Sequence, residues 1–300
     1  MNATRYIRRY WQLYALLVLP VLYFAIFKYG PMYGVIIAFK DFNFFQGING
    51  SEWIGFDAFR EVFAMRDFYK TLRNTLMLNL LDLIVSFPAP LFIAIMLYEL
   101  RTAWFRKLSQ TILYIPHFIS WVIIGGIAYQ VFGTQSGMLN NVITSLGFDA
   151  VPFLTDKNYW LVTYLAIGVW QSAGWGTIIY LAALTGLNRE LFEAAEVDGA
   201  GRMRRIWSIT LPSLKPTIVT LLIINIGHMI SIGFDRPYVI GNTTVREYSD
   251  VLSTFVYRVG LESGQYTLAT VVGLFQAVVG LVFVLGSNYV SKKLADQSIL

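Results

Sequence analysis

Long apolar runs separated by short polar segments dominate the chain. A helix needs about 20 mainly apolar residues to cross the hydrocarbon core of a bilayer, which is about 30 Å thick. Six segments meet that requirement and predict spans at about 11–39, 76–98, 108–132, 159–187, 217–234 and 268–290. The runs are long and do not alternate, so they predict helices rather than barrel strands. The fold class expected is an all-α membrane protein with six transmembrane helices and a single transmembrane domain over residues 1–300. Within the second span stands one acid, Asp82, and the fourth carries no charge. Pro116 predicts a kink in the third span, and His117 beside it is assigned no role. The connection 40–70, with its aromatic stretch 53–59, reads as an interfacial helix. The segment 234–265 is mixed polar and aromatic.

Composition sharpens this picture. Hydrophobic residues make up 56% and charged ones 14%, with a mean hydropathy of +0.56. Soluble domains are about 25% charged; a soluble protein this poor in charge could not cover its surface. A water-soluble enzyme, a nucleic-acid binder and a disordered chain are therefore excluded. With no cysteine there is no disulfide framework and no thiolate chemistry, and two histidines without clustered carboxylates argue against a metal site. The net charge of +5 is explained by where the charges fall. The short loop 101–107 carries Arg101, Arg106 and Lys107, whereas the longer segment 133–158 has only Lys157. That positive-inside pattern places both termini in the cytoplasm and ties the basic balance to membrane topology and lipid contact. Arg5, Arg8 and Arg9 ahead of the first apolar run resemble a secretory signal flank. The run continues through Pro20 to Phe27 with no small-x-small cleavage site, so an uncleaved helix is predicted in the cell (inner or plasma) membrane.

The loop between the fourth and fifth spans, 188–216, is the longest on the cytoplasmic side. Asn188 is placed to cap a helix, with Glu190 at its positive end. Leu191, Phe192 and Ala195 form an apolar face at helical spacing. Gly199 and Gly201 permit a sharp bend. A second helical stretch over 202–210 is expected to end near Pro212. The small side chains at Ala194, Ala195, Gly199 and Ala200 leave room for a partner surface to approach closely.

This loop resembles the signature of binding-protein-dependent ABC importer permeases. The residues are Glu193-Ala194-Ala195, then Asp198-Gly199-Ala200, then Ile209, Leu211 and Pro212. Leu19-Pro20, the run Phe27-Lys28-Tyr29-Gly30-Pro31-Met32 and Asn74-Thr75 are similar to the carbohydrate branch of that family. Segments 251–264 and 269–275 are similar to the subgroup that takes up oligosaccharides from polysaccharide breakdown. The resemblance implies a type I ABC importer permease fold, in which the loop helix lies in a cleft of a separate ATPase. Glu193, Ala194, Ala195, Asp198, Gly199, Ala200, Leu211 and Pro212 are then the ATPase-coupling residues. No GxxxxGK[ST] loop occurs in the chain. The resemblance therefore implies no cofactor and no enzymatic site here, with ATP and Mg held by two partner ATPase subunits. It further implies a second homologous permease in a heterodimer and a lipid-anchored or periplasmic solute-binding protein that delivers an oligosaccharide for alternating-access transport.

Polar and aromatic groups inside spans are costly unless they meet a partner or a water-filled path. In the fourth span Trp170, Gln171, Ser172 and Trp175, interleaved with Gly174 and Gly176, are candidates for the substrate path. In the fifth, Asn225, His228, Ser231, Phe234 and Asp235 run toward the outer end, with Asn225, His228 and Ser231 or Ile232 on one helical face. Gln276 is a weaker candidate. Helix packing and interfacial anchoring are the competing readings for each. Asp82 is expected to pair with a basic or polar group on another helix; a proton site or a sugar contact are the alternatives. The rival functional reading is a proton- or sodium-coupled secondary transporter built on Asp82 and His228. An intramembrane enzyme would need paired acids or clustered histidines, which are not evident, and an ABC permease for a non-sugar solute stays open.

Overall fold

The computed structural model describes residues 9–227, 229, 230 and 232–295; Arg5, Arg8, His228 and Ser231 lie outside them. In chain order the elements used below are α1 (Trp11–Phe24), β1 (Lys40–Asp41), β2 (Glu52–Trp53), α2 (Asp57–Ala64), α3 (Arg66–Val85), α4 (Pro88–Tyr98), α5 (Ala103–Tyr114), α6 (Trp121–Phe132), α7 (Met138–Ser145), α8 (Lys157–Thr185), α9 (Arg189–Val197), α10 (Leu211–Gly227), α11 (Asp235–Ile240) and α12 (Tyr266–Ala295). They fall into two compact units. One takes the described residues up to Met65 with Val256–Phe275, and the other takes Arg66–Phe255 with the residues from Gln276 onward.

In the first unit, α1 contains Pro20 and passes through a π turn, Ala25–Tyr29, into a tighter 3₁₀ stretch, Gly30–Phe39. No α1 residue is buried, although the helix is apolar all round; such a surface requires lipid or another protein around it. Lys40 pairs with Trp53 across a short antiparallel ladder. The Lys40 ammonium closes the intervening turn by donating to the carbonyls of Ile48 (2.7 Å) and Ser51 (3.1 Å). Phe39 stacks on Trp53 at 5.7 Å and meets Phe59 at 5.2 Å. The helix expected over 53–59 therefore starts only at Asp57, because Trp53 is taken up by the ladder.

In the second unit, the helix beginning at Arg66 extends ten residues before the predicted span at 76 and breaks ahead of Pro88, whose ring cannot donate a backbone hydrogen bond. The third predicted span is a bent pair: residues Ala103–Phe118 and Trp121–Phe132 meet at 104°. Pro116 lies in the 3₁₀ turn before the break, and the Ser120 hydroxyl caps α6 by accepting from the Ile123 N–H (3.4 Å). By length and apolarity Trp11–Phe39, Arg66–Tyr98, Arg202–Gly227 and Tyr266–Tyr289 are able to cross a membrane, and the bent pair makes a fifth if it counts as one span. The fourth predicted span forms as α8, which has 29 residues. Its Trp, Gln, Ser and Gly residues leave it less apolar than those helices, because much of its surface meets protein rather than lipid.

Helix α8 is the axis of the core. Trp160 and Tyr164 pack with Leu78, Ile124, Ala128 and Ile240, while Tyr180 and Leu184 pack with Ala94 and Leu214. Two glycines bring neighbouring elements close. A Cβ on Gly174 would overlap the Leu113 carbonyl, and one on Gly176 would lie 2.8 Å from the Pro90 ring. Small residues of this kind let membrane helices approach backbone to backbone.

The helix after the loop does not stop at Pro212. Arg202–Arg205 leads through a π turn, Ile206–Thr210, directly into α10, with Pro212 in its first turn and Pro216 in its interior. A proline ring clashes with the carbonyl four residues earlier in a regular helix. The wider π turn lies where that carbonyl would be, at Ser208, and lets the helix continue. Helix α10 is described as far as Gly227, short of the predicted 234; the expected one-face spacing of Asn225 with His228 and Ser231 falls on residues outside the described ones.

Candidate functional site

A cavity of about 440 Å³ opens between α3, α4, α8, α10 and α11. Asn79, Asp82 and Ser86 reach it from α3 or its end, Ser172 and Trp175 from α8, Asn225 from α10 and Arg236 from α11. Three of these polar groups are oriented by backbone carbonyls. Asn79 donates to the Met229 carbonyl (2.6 Å), Ser172 to Gly168 (2.8 Å) and Asn225 to Leu221 (2.8 Å). The Trp175 indole is half exposed and stacks on the His117 ring at 4.6 Å with an interplanar angle of 9°. His117 thus fixes one face of Trp175 from the break in the bent pair.

One ion pair forms part of the cavity wall. Arg236 Nη1 donates to Asp82 Oδ2 at 2.7 Å and Nη2 to Oδ1 at 3.2 Å, the forked geometry that makes such pairs strong. The same Nη2 donates to the Tyr164 carbonyl at 2.7 Å. The guanidinium lies 3.7 Å from the Tyr164 ring centroid and 5.7 Å from that of Trp121. Ser86 donates to Asp82 Oδ1 (3.0 Å). Gly168 makes the room: any Cβ there would overlap the guanidinium.

Of the described residues that the sequence proposes for the path, Ser172, Trp175 and Asn225 line this cavity, whereas Trp170, Gln171, Phe234 and Asp235 do not. Gln171 is buried away from it, and Trp170 is half exposed outside it. Phe234 stacks on Tyr238 at 4.6 Å, and Asp235 is the exposed first residue of α11. His228 and Ser231 lie outside the described residues. Asn79, Ser86 and Arg236 were missed. The first two had a signal, since Asn79, Asp82 and Ser86 recur at three and four residues and make a polar stripe on an otherwise apolar helix. Arg236 had only the requirement that an acid within a span find a cation.

The loop helix α9 is a second site. The Asn188 side chain accepts from the Glu190 N–H at 2.9 Å. At the other end Ala200 N–H donates to Ala195 O (2.8 Å) and Gly199 N–H to Glu196 O (3.1 Å), the paired bonds of a Schellman cap. Gly199 has φ +73°, which a side chain strongly disfavours. Glu193, Ala194, Asp198 and Gly199 are exposed, while Ala195, Ala200 and Leu211 are partly covered and Pro212 is exposed. Val197 is 89% exposed, and Leu191, Met203 and Trp207 also present apolar surface. Phe192 packs on Tyr98 at 6.3 Å. Arg202 braces the turn by bonding the Glu99 carboxylate (2.5 Å) and the Glu99 carbonyl (2.6 Å) just beyond α4. Replacing Asn188 with alanine is expected to cost about 1 kcal/mol of helix stability, hence about fivefold faster amide exchange over residues 190–192; unchanged exchange would argue against the cap.

Comparison with known proteins gives the class. The family described as "Binding-protein-dependent transport system inner membrane component" matches residues 63–296. The chain is 45% identical to Protein LplB of Bacillus subtilis (strain 168) over 96% of its own length and 90% of that protein. It is 43% identical to the polygalacturonan/rhamnogalacturonan transport system permease protein YteP of the same organism, over 95% and 89%. Among solved structures, a bacterial ABC transporter that imports the acidic polysaccharide alginate superposes with a TM-score of 0.89 at 40% identity, covering 97% of this chain and 98% of that one. A bacterial alginate ABC transporter in complex with an alginate pentasaccharide-bound periplasmic protein superposes at 0.90 and 38% identity, with both chains fully covered. The chain belongs to the binding-protein-dependent ABC transport permeases, as a multi-pass inner-membrane component.

Proposed function

We propose that this chain is one half of the membrane pathway of an ATP-driven importer and moves an oligosaccharide handed over by a binding protein. The observation that carries the reading is α9, a short helix capped at both ends and exposed along Glu193, Ala194 and Val197. A rigid element of that kind, joined to α8 on one side and through Arg202 to α10 and α4 on the other, suits the cleft of a separate cytoplasmic ATPase. Rigid-body movement of such an element transmits the closing and opening of the ATPase to the helices that it joins. Two ATPase subunits then bind ATP and Mg, and a homologous second permease completes the pathway. The chain itself carries out no bond-making step.

The cavity suits a sugar. Trp175 offers an aromatic face to the C–H surface of a pyranose ring, while Asn79, Ser172 and Asn225 offer polar groups to hydroxyls. The substrates for which the similar proteins are named, alginate and polygalacturonan/rhamnogalacturonan, support the carbohydrate class. The test is uptake by the complete complex in liposomes. Transport is expected to require ATP and the loaded binding protein, and Trp175→Ala is expected to raise KM about tenfold. Uptake that survives inactivation of the ATPase and collapses with a proton or sodium gradient would contradict the reading.

A further inference from the structure

We propose that Arg236 reads a carboxylate on the transported sugar, and that Asp82 is the counter-ion that this carboxylate displaces. The substrate class is thereby an oligosaccharide carrying uronate groups. The inference rests on the oligosaccharide reading above and assigns the charge selectivity of the same cavity.

Three observations carry it. First, Arg236 and Asp82 stand on the wall of a polar cavity, with 14% and 23% of their side-chain surfaces exposed. Among the described residues they are the only charged ones lining it. Ionisable groups at membrane depth are expensive to place, and those that face a pathway mark what passes along it. Second, Arg236 is held by a frame that does not involve Asp82. The Tyr164 carbonyl bond, the Tyr164 and Trp121 rings and the space left by Gly168 keep the guanidinium in place when its carboxylate leaves. Its Nε is buried without a partner, so the frame is not satisfied by the ion pair alone. Asp82 has its own second partner in Ser86. Third, an anion entering a cavity of zero net charge meets no attraction. One carboxylate replacing another on the same planar fork keeps the bidentate geometry that guanidinium offers to any carboxylate, and the freed Asp82 carboxylate keeps the Ser86 hydroxyl as its donor on the cavity wall.

The exchange has a structural consequence. Asp82 lies on α3 and Arg236 on α11, so a uronate that takes the fork also releases the link between these two helices. A neutral sugar leaves the link closed.

The test is equilibrium binding of labelled trigalacturonate, and of its carboxyl-reduced neutral counterpart, to the complete complex in nanodiscs without the binding protein. The wild type is expected to prefer the acidic sugar. Arg236→Gln is expected to weaken trigalacturonate binding at least about tenfold more than it weakens binding of the neutral sugar. Arg236→Lys, which keeps the charge but loses the fork, should still assemble and lie between. Asp82→Asn should bind trigalacturonate at least as tightly as the wild type. The exchange D82R/R236D rebuilds an ion pair and is expected not to restore trigalacturonate binding, because the cation has left its frame. Recovery in that double variant, or equal losses for both sugars in Arg236→Gln, would show a purely structural pair and overturn the proposal. Equal wild-type affinity for the two sugars would overturn it while leaving the oligosaccharide reading intact. A wild-type complex that binds neither sugar would overturn both.

Discussion

Replacing Gly199 with valine is expected to abolish ATP-driven uptake while leaving the permease folded in the membrane. Gly199 sits at φ +73°, where a side chain costs about 1–2 kcal/mol and a β-branched one is worse placed still. Nothing lies within 4 Å of a Cβ there, so the cost is conformational rather than a clash, and relief comes from unwinding the cap. The bonds from Ala200 and Gly199 to Ala195 and Glu196 are then lost, and the exit direction of α9 changes. On the proposal that α9 seats in an ATPase cleft, this change of direction takes it out of that seat. The expected result in proteoliposomes is uptake reduced more than about 100-fold, with loss of ATPase stimulation by the loaded binding protein. Gly201 provides the comparison: it also has open space, but its φ is −63°, so Gly201→Ala should transport normally. Equal behaviour of the two variants would remove the argument from backbone geometry.

The second large effect is expected at Gly174, where even alanine should destabilise the fold. The atom that a Cβ would meet is the Leu113 carbonyl, part of the backbone of α5, and backbone does not swing aside as a side-chain tip does. Overpacking of this kind typically costs about 1–3 kcal/mol and more when the obstacle is rigid. Moving α5 also moves the 3₁₀ turn that carries His117, and with it the stack on Trp175. Gly174→Ala is expected to lower the melting temperature of the purified complex by about 10 °C, and Gly174→Leu to abolish assembly. Gly126→Ala, on the open side of α6, should melt like the wild type. A Gly174→Ala complex of normal stability would mean that α5 and α8 are not packed as closely as the structure has them.

Much of the architecture was legible in the sequence because it follows from apolar run length. The runs 11–27, 159–187 and 268–290, from which α1, α8 and α12 form, carry no charge, and length without charge marks them without tertiary information. The loop helix was legible for a different reason: Asn188 and Gly199 encode their own caps locally. The errors have a common origin. Where the helix at Arg66 begins and why the helix after the loop continues through Pro212 depend on a polar first turn and a π turn, neither of which hydropathy reports. The cavity was half legible. Trp175, Ser172 and Asn225 stood out as polar or aromatic groups in spans, but so did Trp170 and Gln171, and only the rotation of α8 separates residues that face the cavity from neighbours one position away. Arg236 was hidden because it lies outside any apolar run, and its partner is 154 positions away in the chain.

The central claim is that α9 is gripped by a nucleotide-hydrolysing subunit, and the chain is suited to a direct test because it contains no cysteine. A single cysteine introduced by Val197→Cys at the 89% exposed position would carry a benzophenone probe at the tip of the helix. Illumination of the complete complex in liposomes is expected to link residue 197 to the ATPase subunit, with a yield that changes when ATP is added. A probe that links only to lipid, or to no protein besides the permeases, would contradict the account.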